Sequence, residues 1–183
     1  MSSAHNPLFI RSVLMTDIAI HEGYLPGAIG AVAALHARQY SRSHGFDQVF
    51  EAKVARELGE FVCRYDPAHS RLWLATRGAE ILGSLVIDGG DGSGVAHLRW
   101  FILGPPLRGQ GLGRLLMSKA MAFCRERGFR SIYLWTLTGL DAALHLYEAE
   151  GFTVVERLIG KQWGKAVEEL RMEVQLAVPG APD

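Results

Sequence analysis

The first part of the chain carries its apolar residues at helical spacing. After Pro26, one stripe consists of Ile29, Val32, Ala33, His36 and Tyr40. A second stripe follows Asp47, a good helix-capping residue, and consists of Phe50, Val54, Leu58, Phe61 and Val62. The spacing predicts two amphipathic helices, the first running from Pro26 towards Gly45 and the second ending before Pro67.

From residue 71 onward, apolar runs separated by turn residues predict a sheet. Residues 71–76 and 81–88 flank a turn at Gly78 and predict a hairpin. The remaining predicted elements are a strand over 95–103, a helix over 112–127, a strand over 131–137, a helix over 139–150, and strands over 152–158 and 168–178. A hairpin followed by strand–helix–strand units indicates one α/β (α+β) domain, a mixed sheet with helices on both faces.

Composition narrows the class of protein. The 183 residues include 19 basic and 19 acidic ones, so no overall charge attracts the chain to nucleic acid or to an anionic membrane. Cys63 and Cys124 stand far apart, which favours buried thiols over a disulfide framework or a zinc site. The first residues lack the basic region of a secretion signal, and no apolar run reaches the roughly 20 residues of a membrane span. We expect a cytoplasmic protein without a metal, a nucleic-acid partner or a membrane partner.

The segment Arg108-Gly-Gln-Gly-Leu-Gly-Arg114 has the composition of an anion site. It follows an apolar strand and immediately precedes a predicted helix. Glycines let several backbone N–H groups converge on one anion, and a helix N-terminus adds partial positive charge. No Gly-Lys-Ser/Thr follows, as a P-loop requires, and the glycines do not fit the dinucleotide pattern Gly-x-Gly-x-x-Gly. We therefore expect a phosphate that belongs to neither a nucleoside triphosphate nor NAD.

Arg108-x-x-Gly111-x-Gly113 resembles the Arg/Gln-x-x-Gly-x-Gly/Ala motif of the GNAT superfamily of acetyl-CoA-dependent N-acetyltransferases. The flanking segments that extend the resemblance are 95–103 with Pro105, 131–136, 143–147 and 151–152. The chain is most similar to the bacterial acetyltransferase domains that also occur fused to MarR-type repressors, and we expect no repressor domain within it. The resemblance implies a GNAT-like domain over 17–178 with a mostly antiparallel sheet, an N-terminal extension over 1–16 and a C-terminal tail over 179–183.

The same resemblance implies where acetyl-CoA, the acetyl donor, binds. Pantetheine would pair with the backbone of Phe101, Ile102 and Leu103, and this strand would offer an N–H group to the thioester oxygen. The loop that would hold the pyrophosphate consists of Arg108, Gly109, Gln110, Gly111, Leu112, Gly113 and Arg114. Core packing alone also explains the three strand residues, and both uses are compatible because one employs backbone and the other side chains.

Tyr147 and His97 are the catalytic residues that the resemblance implies. A phenol of pKa about 10 can protonate a departing thiolate of pKa about 8.5 or somewhat higher. The alternative for Tyr147 is a core aromatic residue with a satisfied hydroxyl. His97 stands where the histone-acetylating branch carries a glutamate base, and a pKa of about 6.5 suits a base at neutral pH. A structural histidine, a chain of water molecules, or the carboxylates of Glu22 and Glu51 are the alternatives for that role.

The family usually shapes its acceptor site from the first two helices and the central strands. On this basis the candidate acceptor residues are His36, Tyr40, Glu51, Arg99 and Trp135. Arg99 could clamp the carboxylate of an amino acid or another small zwitterion, or it could pair structurally with Asp88.

We expect an N-acetyltransferase that moves an acetyl group to a primary amine of a small molecule or peptide by direct attack. A homodimer is common among the proteins that the chain resembles. The alternative is a non-catalytic acyl-CoA-binding sensor or regulatory module of the same fold.

Overall fold

The computed structural model describes residues 17–90 and 92–177. The predicted extension over 1–16 and the tail over 179–183 lie outside these ranges. In chain order the elements are β1 (Ile18–Glu22), α1 (Ala28–His44), α2 (Gln48–Cys63), β2 (Arg71–Arg77), β3 (Glu80–Asp88), β4 (Val95–Leu103), a 3₁₀ turn (Pro105–Leu107), α3 (Leu112–Glu126), β5 (Ser131–Leu137), α4 (Asp141–Ala149), β6 (Thr153–Gly160) and β7 (Val167–Gln175).

Across the described residues the strands form one seven-stranded sheet in the order β1-β2-β3-β4-β5-β7-β6. Each neighbouring pair runs antiparallel except β4 and β5, which run parallel. Helices α1 and α2 pack on one face of the sheet, where Val32, Phe61 and Trp100 are buried together. Helices α3 and α4 pack on the other face, where Met117 and Tyr147 are buried. The predicted single α/β domain with a mixed, mostly antiparallel sheet is confirmed.

Local chemistry sets the boundaries of the first two helices. Gly27 adopts a left-handed conformation before Ala28, so α1 begins two residues later than the helix predicted to start at Pro26. Asp47 caps α2 as predicted, because its carboxylate accepts a hydrogen bond of 2.9 Å from the backbone N–H of Val49. The last strand ends at Gln175, earlier than the predicted end at residue 178, which is outside the described residues.

A β-bulge distorts β4 in the middle of the sheet. Arg99 pairs with Val86 and Ile102 pairs with Ser84, so two residues of β4 share the space opposite one residue of β3. Trp100 lies at the bulge with φ of 44°, a conformation uncommon outside glycine. The Ser84 hydroxyl donates a hydrogen bond of 2.6 Å to the Trp100 carbonyl and holds the distortion in place.

Strands β4 and β5 separate after His97, before the bulge is reached. In the described part of the sheet these strands are paired only over Val95–His97 and Ser131–Tyr133. The remainder of β4, up to Leu103, stays paired with β3 on its other edge. The edge of β4 that faces β5 therefore presents backbone N–H and C=O groups to a gap in the middle of the sheet.

Replacing Gly89 with alanine is expected to destabilise the fold by about 2–3 kcal/mol. A Cβ atom at this position would overlap the backbone carbonyl of His69 and lie 2.7 Å from the ring of Phe129. Urea unfolding followed by circular dichroism measures the effect. As a control, Gly30→Ala in the exposed first turn of α1, where a Cβ meets nothing within 4 Å, should stabilise the protein by about 0.5–1 kcal/mol. Equal stabilities of the two variants would contradict this account of the packing at Gly89.

Candidate active site

A cavity of about 890 Å³ occupies the gap between β4 and β5. It extends from the glycine-rich loop before α3, along the separated edge of β4, to side chains of α1 and α2. The sequence-predicted residues that line it are His36, Tyr40, His97, Arg99, Phe101, Ile102, Leu103, Arg108, Gly109, Gly111, Gly113, Arg114, Trp135 and Tyr147. Among the described residues, three other predicted positions, Glu51, Gln110 and Leu112, do not form its wall.

The glycine-rich loop forms the end of the cavity next to α3. Gly109 and Gly111 have φ of 71° and 79°, and a Cβ atom at either position would project into open space. The N–H of Leu115 bonds the carbonyl of Gly111 at 3.0 Å, so the N–H groups of the first helical turn before it have no intrahelical acceptor. Together with the partial positive charge of the helix, these donors suit an anion.

Side-chain hydrogen bonds hold this loop in shape. The Arg108 guanidinium donates to the carbonyl of Leu103 at 2.9 Å and to the Gln39 side-chain oxygen at 2.7 Å. The Gln110 amide donates to the carbonyl of Pro106 at 2.7 Å. Arg108 thus connects the loop to β4 and to α1, while the exposed Arg114 supplies a second positive charge in the first turn of α3.

Tyr147 lies at the middle of the cavity, on the side formed by α4. Its ring packs 6.3 Å from that of Phe101 and 6.0 Å from that of Phe152. Burial raises the pKa of the Tyr147 hydroxyl above its usual range, and the nearby Tyr40 raises it further. The hydroxyl therefore stays protonated at neutral pH and can donate a proton or a hydrogen bond within the cavity.

His36 lies beside Tyr40 on α1 as a neutral, buried imidazole. Its Nδ1 lies 2.9 Å from the Val32 carbonyl. Because a carbonyl can only accept, Nδ1 carries the proton and Nε2 is left as an acceptor. Burial lowers the pKa of His36 to about 4, and burial raises that of Tyr40, whose ring stacks 6.1 Å away, to about 12.

His97 lies where β4 and β5 are still paired. Its ring stacks on that of Tyr133 with 4.1 Å between centroids. Burial lowers the pKa of His97 to about 3, and the positive charges of Arg99 and Arg171 act in the same direction. The imidazole is therefore neutral at pH 7 and accepts a proton only weakly.

A chain of ion pairs runs along the wall between α2 and β4. Glu57 binds Lys53 through one carboxylate oxygen and Arg99 through the other. Arg99 also stacks 4.0 Å from the Trp100 ring and lies 3.7 Å from Asp88. Asp88 is held mainly by the Arg64 guanidinium, at 2.8 and 2.5 Å, and the pKa of its carboxyl is lowered despite burial. The principal partner of Arg99 is thus Glu57 rather than the Asp88 considered from the sequence.

Sequence reasoning missed Lys53 and Glu57 as residues of the cavity wall. They are four residues apart and lie beside the apolar stripe of α2 that contains Phe50 and Val54. Their position beside this apolar stripe is the sequence feature that could have indicated that they line a cavity. Glu51, proposed from the sequence, is exposed in the first turn of α2. Glu22, the other carboxylate considered, bonds Trp73 at 3.1 Å on β2, away from the cavity.

The end of the cavity farthest from the glycines is closed by the connection between β6 and β7. Trp163 packs with its ring 6.4 Å from that of Phe46. Gln162 also lines the cavity and donates a hydrogen bond to the buried Glu169. Lys165 donates to the carbonyl of His44 at 3.2 Å, which fastens this connection to the end of α1.

Over residues 17–90 and 92–177, no group of three or more His, Cys, Asp or Glu side chains is placed to hold a metal ion. In the same ranges, no helix combines the length and apolar character needed to cross a bilayer.

The free energy of unfolding should fall as the pH drops from about 6.5 to about 4. The lowered pKa of His36 means that the unfolded chain binds protons in this window that the folded chain excludes. The stabilisation that depends on neutral His36 is therefore fully present above pH 6.5 and is lost progressively as the pH falls to 4. It amounts to about 3 kcal/mol of unfolding free energy at most.

Urea titrations at a series of pH values measure this dependence. His36→Gln should reduce it in part, because the lowered pKa of His97 contributes in the same window and remains in the variant. His145→Gln is a matched control, because His145 makes the same bond to a carbonyl four residues earlier, at 3.1 Å, but is exposed. An unchanged pH dependence in His36→Gln would contradict the buried neutral imidazole.

Known proteins resemble this chain in architecture and in part of its sequence. The model of the Acetyltransferase (GNAT) family matches residues 50–152, more than half of the chain. An uncharacterized N-acetyltransferase of Escherichia coli K12, YjgM, is 33% identical over 126 residues, which cover 67% of this chain and 75% of that protein. A GNAT-family acetyltransferase from Staphylococcus aureus Mu50 gives a TM-score of 0.67 at 20% identity, covering 87% of this chain and 99% of that chain. A putative acetyltransferase of Salmonella typhimurium, yncA, whose structure includes its cofactor acetyl-CoA, gives 0.62 at 19% identity, covering 91% and 98%. With its sheet, glycine-rich loop and matching family model, the chain belongs to the GNAT acetyltransferase family and is an acyltransferase.

Proposed function

We propose that this enzyme transfers an acetyl group from acetyl-CoA to a primary amine of a small molecule or peptide by direct attack. The observation that carries the proposal is the unbroken cavity between β4 and β5. One end has the backbone donors of the glycine-rich loop, the middle has Tyr147, and the far end has the polar side chains of α1 and α2. A donor and an acceptor can meet in such a cavity without a covalent enzyme intermediate.

Acetyl-CoA fits the groups that line this cavity. The open space in front of Gly109 and Gly111 accommodates the pyrophosphate, and Arg108 and Arg114 add positive charge there. The separated edge of β4, from Phe101 to Leu103, offers its backbone to pantetheine as an added strand would. When bound, acetyl-CoA supplies an acetyl group activated as a thioester.

In this proposal the chain itself provides N–H groups that polarise the thioester carbonyl and a proton for the departing sulfur. Pairing with β3 fixes β4 just beyond the bulge at Trp100. The N–H groups on the opposite, unpaired edge are therefore preorganised for an oxygen that gains negative charge. Tyr147 holds a proton at its hydroxyl throughout the neutral range and can deliver it to a departing sulfur. Tyr147 is the general acid in this proposal.

Neutral imidazole groups are proposed to remove the proton of the amine. His97 remains the proposed base, with its unprotonated imidazole on the cavity wall. His36 offers a second acceptor at Nε2, on the side of the cavity formed by α1. Both imidazoles are neutral and can act as acceptors. The amine proton becomes easier to remove after attack, when the nitrogen carries positive charge.

A narrower proposal concerns the subgroup. The segments Leu98–Phe101 and Phe123–Phe129 are similar to the acetyltransferase domains that occur fused to MarR-type repressors. The proposed subgroup carries no implication for the acceptor.

Gly111→Ala should weaken acetyl-CoA binding about tenfold or more, because its Cβ would occupy the open space in which the anion lies. Isothermal titration calorimetry gives the Kd directly. Gly128→Ala is the matched control: Gly128 ends α3 with a similar φ of 71° and open surroundings, but it does not line the cavity. Alanine causes similar backbone strain at Gly111 and at Gly128, so the two variants differ only in whether the added Cβ lies in the cavity. Equal acetyl-CoA affinities would therefore refute the cofactor assignment.

Tyr147→Phe should lower kcat about tenfold to a hundredfold and leave acetyl-CoA affinity within about twofold. The reason is that phenylalanine preserves the packing against Phe101 but cannot donate a proton. Thiol release in the presence of an amine panel measures turnover, with the exposed Tyr24→Phe as control. Unchanged kcat would make Tyr147 a core aromatic residue, and tight CoA binding without turnover in the wild type would favour a sensor.

A further inference from the structure

We propose that the acceptor is an α-amino acid with a free carboxylate and an apolar side chain, the carboxylate being held by Lys53 and Arg99. This inference rests on the proposed acetyltransferase function and specifies its acceptor. The juxtaposition that carries it is a pair of cations beside an aromatic wall, both within the cavity and close to the bulge of β4.

At the acceptor end of the cavity, cations outnumber carboxylates by one. The charged lining residues contributed by α1, α2 and β4 are Lys53, Arg99 and Glu57. Asp88 lies 3.7 Å from Arg99 but is itself paired with Arg64, so it leaves this excess unchanged. All three side chains are about one-fifth exposed, so their charges are only partly screened by water. Glu57 is shared between two cations, and one more carboxylate would complete the pairing.

The position of Arg99 on β4 suits an α-amino acid. Arg99 precedes Phe101 by two residues, which is about 7 Å or less along this bulged strand. Phe101 lies on the part of β4 that is not paired with β5 and is proposed to bind the donor. The α-amine and the carboxylate of an amino acid are attached to the same carbon. A carboxylate bound by the Arg99 guanidinium would therefore keep the amine near the wall of β4 that is proposed to bind the donor.

The neighbouring wall is apolar and aromatic. Tyr40 lies 5.1 Å from Phe50 and 5.8 Å from Phe46 between ring centroids, and Trp163 closes the wall next to Phe46. Lys53 follows Phe50 by one helical turn, so the cation and the aromatic surface adjoin. A ligand that places its carboxylate on Lys53 would lay its side chain on this wall.

The same features disfavour two other classes of acceptor. A polyamine would bring additional positive charge to an end of the cavity that already has a cationic excess. A peptide N-terminus has an amide in place of the α-carboxylate and would bring no anion to Lys53 and Arg99.

The test compares L-phenylalanine and L-leucine with their amides and with phenethylamine, each with acetyl-CoA, by the rate of thiol release. The amides represent a peptide N-terminus. Lys53→Gln and Arg99→Gln are assayed beside Arg38→Gln, an exposed cation of α1 outside the cavity. Acetyl-CoA affinity of every variant is measured separately by calorimetry, and thermal unfolding verifies that each is folded.

We expect kcat/KM for the amino acids to exceed that for the amides and amine by about tenfold to a hundredfold, as the loss of a charge-assisted contact predicts. Lys53→Gln and Arg99→Gln should each remove most of this preference by raising KM for the amino acid, with acetyl-CoA affinity unchanged. Arg38→Gln should retain it. Equal or better turnover of the amides or the amine, or a preference that survives both substitutions, would overturn the inference. So would a protein that binds acetyl-CoA but neither acetylates nor binds either amino acid. Loss of acetyl-CoA binding in the wild type is the separate result that would remove the proposed function itself.

Discussion

The separation of β4 from β5 after three residue pairs is the constraint on which the site depends. Backbone N–H and C=O groups left without partners inside a protein cost about 1–3 kcal/mol each, so a sheet interrupted at its centre requires a reason to persist. Pairing with β3 holds β4 in position. Gly83 lets β3 approach β4 closely, because a Cβ atom at this residue would lie 2.9 Å from the Ile102 carbonyl. The bulge at Trp100 supplies the change of direction. Together these hold one edge of β4 rigid while the other edge is available to a ligand.

Electrostatic conditions differ along the resulting cavity, and burial determines the difference. At the end next to α3, backbone donors and two exposed arginines provide positive potential without any deeply buried charge. In the middle, burial keeps His36 and His97 neutral and Tyr147 protonated. Formal charge returns where Glu57 pairs with the cations beside it. In the proposed reaction, the neutral groups that move a proton are thereby separated from the charges proposed to bind the two substrates.

The element pattern and the glycine-rich loop could be predicted from the sequence, whereas the acceptor wall could be predicted only in part. Helices, strands and loop follow from local periodicity, which is why α2 and its Asp47 cap were found. Lys53 and Glu57 are also local in sequence, but an i,i+4 ion pair on an amphipathic helix is the same pattern whether it faces solvent or a cavity. The bulge at Trp100 could not be predicted from the sequence either. Alternation along a strand predicts Arg99 and Trp100 on opposite sides of the sheet, whereas the bulge places them on the same side.

The two ends of the cavity differ in how they can change during evolution. The end proposed to bind the donor consists largely of backbone groups. Most side-chain substitutions around the loop, other than those at its glycines, Arg108 and Arg114, therefore leave its hydrogen-bonding groups intact. The acceptor end is built by side chains from α1, α2 and the connection before β7. These segments are tied together across the chain by the contact of Trp163 with Phe46 and the bond of Lys165 to the His44 carbonyl. A substitution in that connection alters the acceptor wall without touching β4. Acceptor specificity can therefore diverge within one family while the donor stays the same.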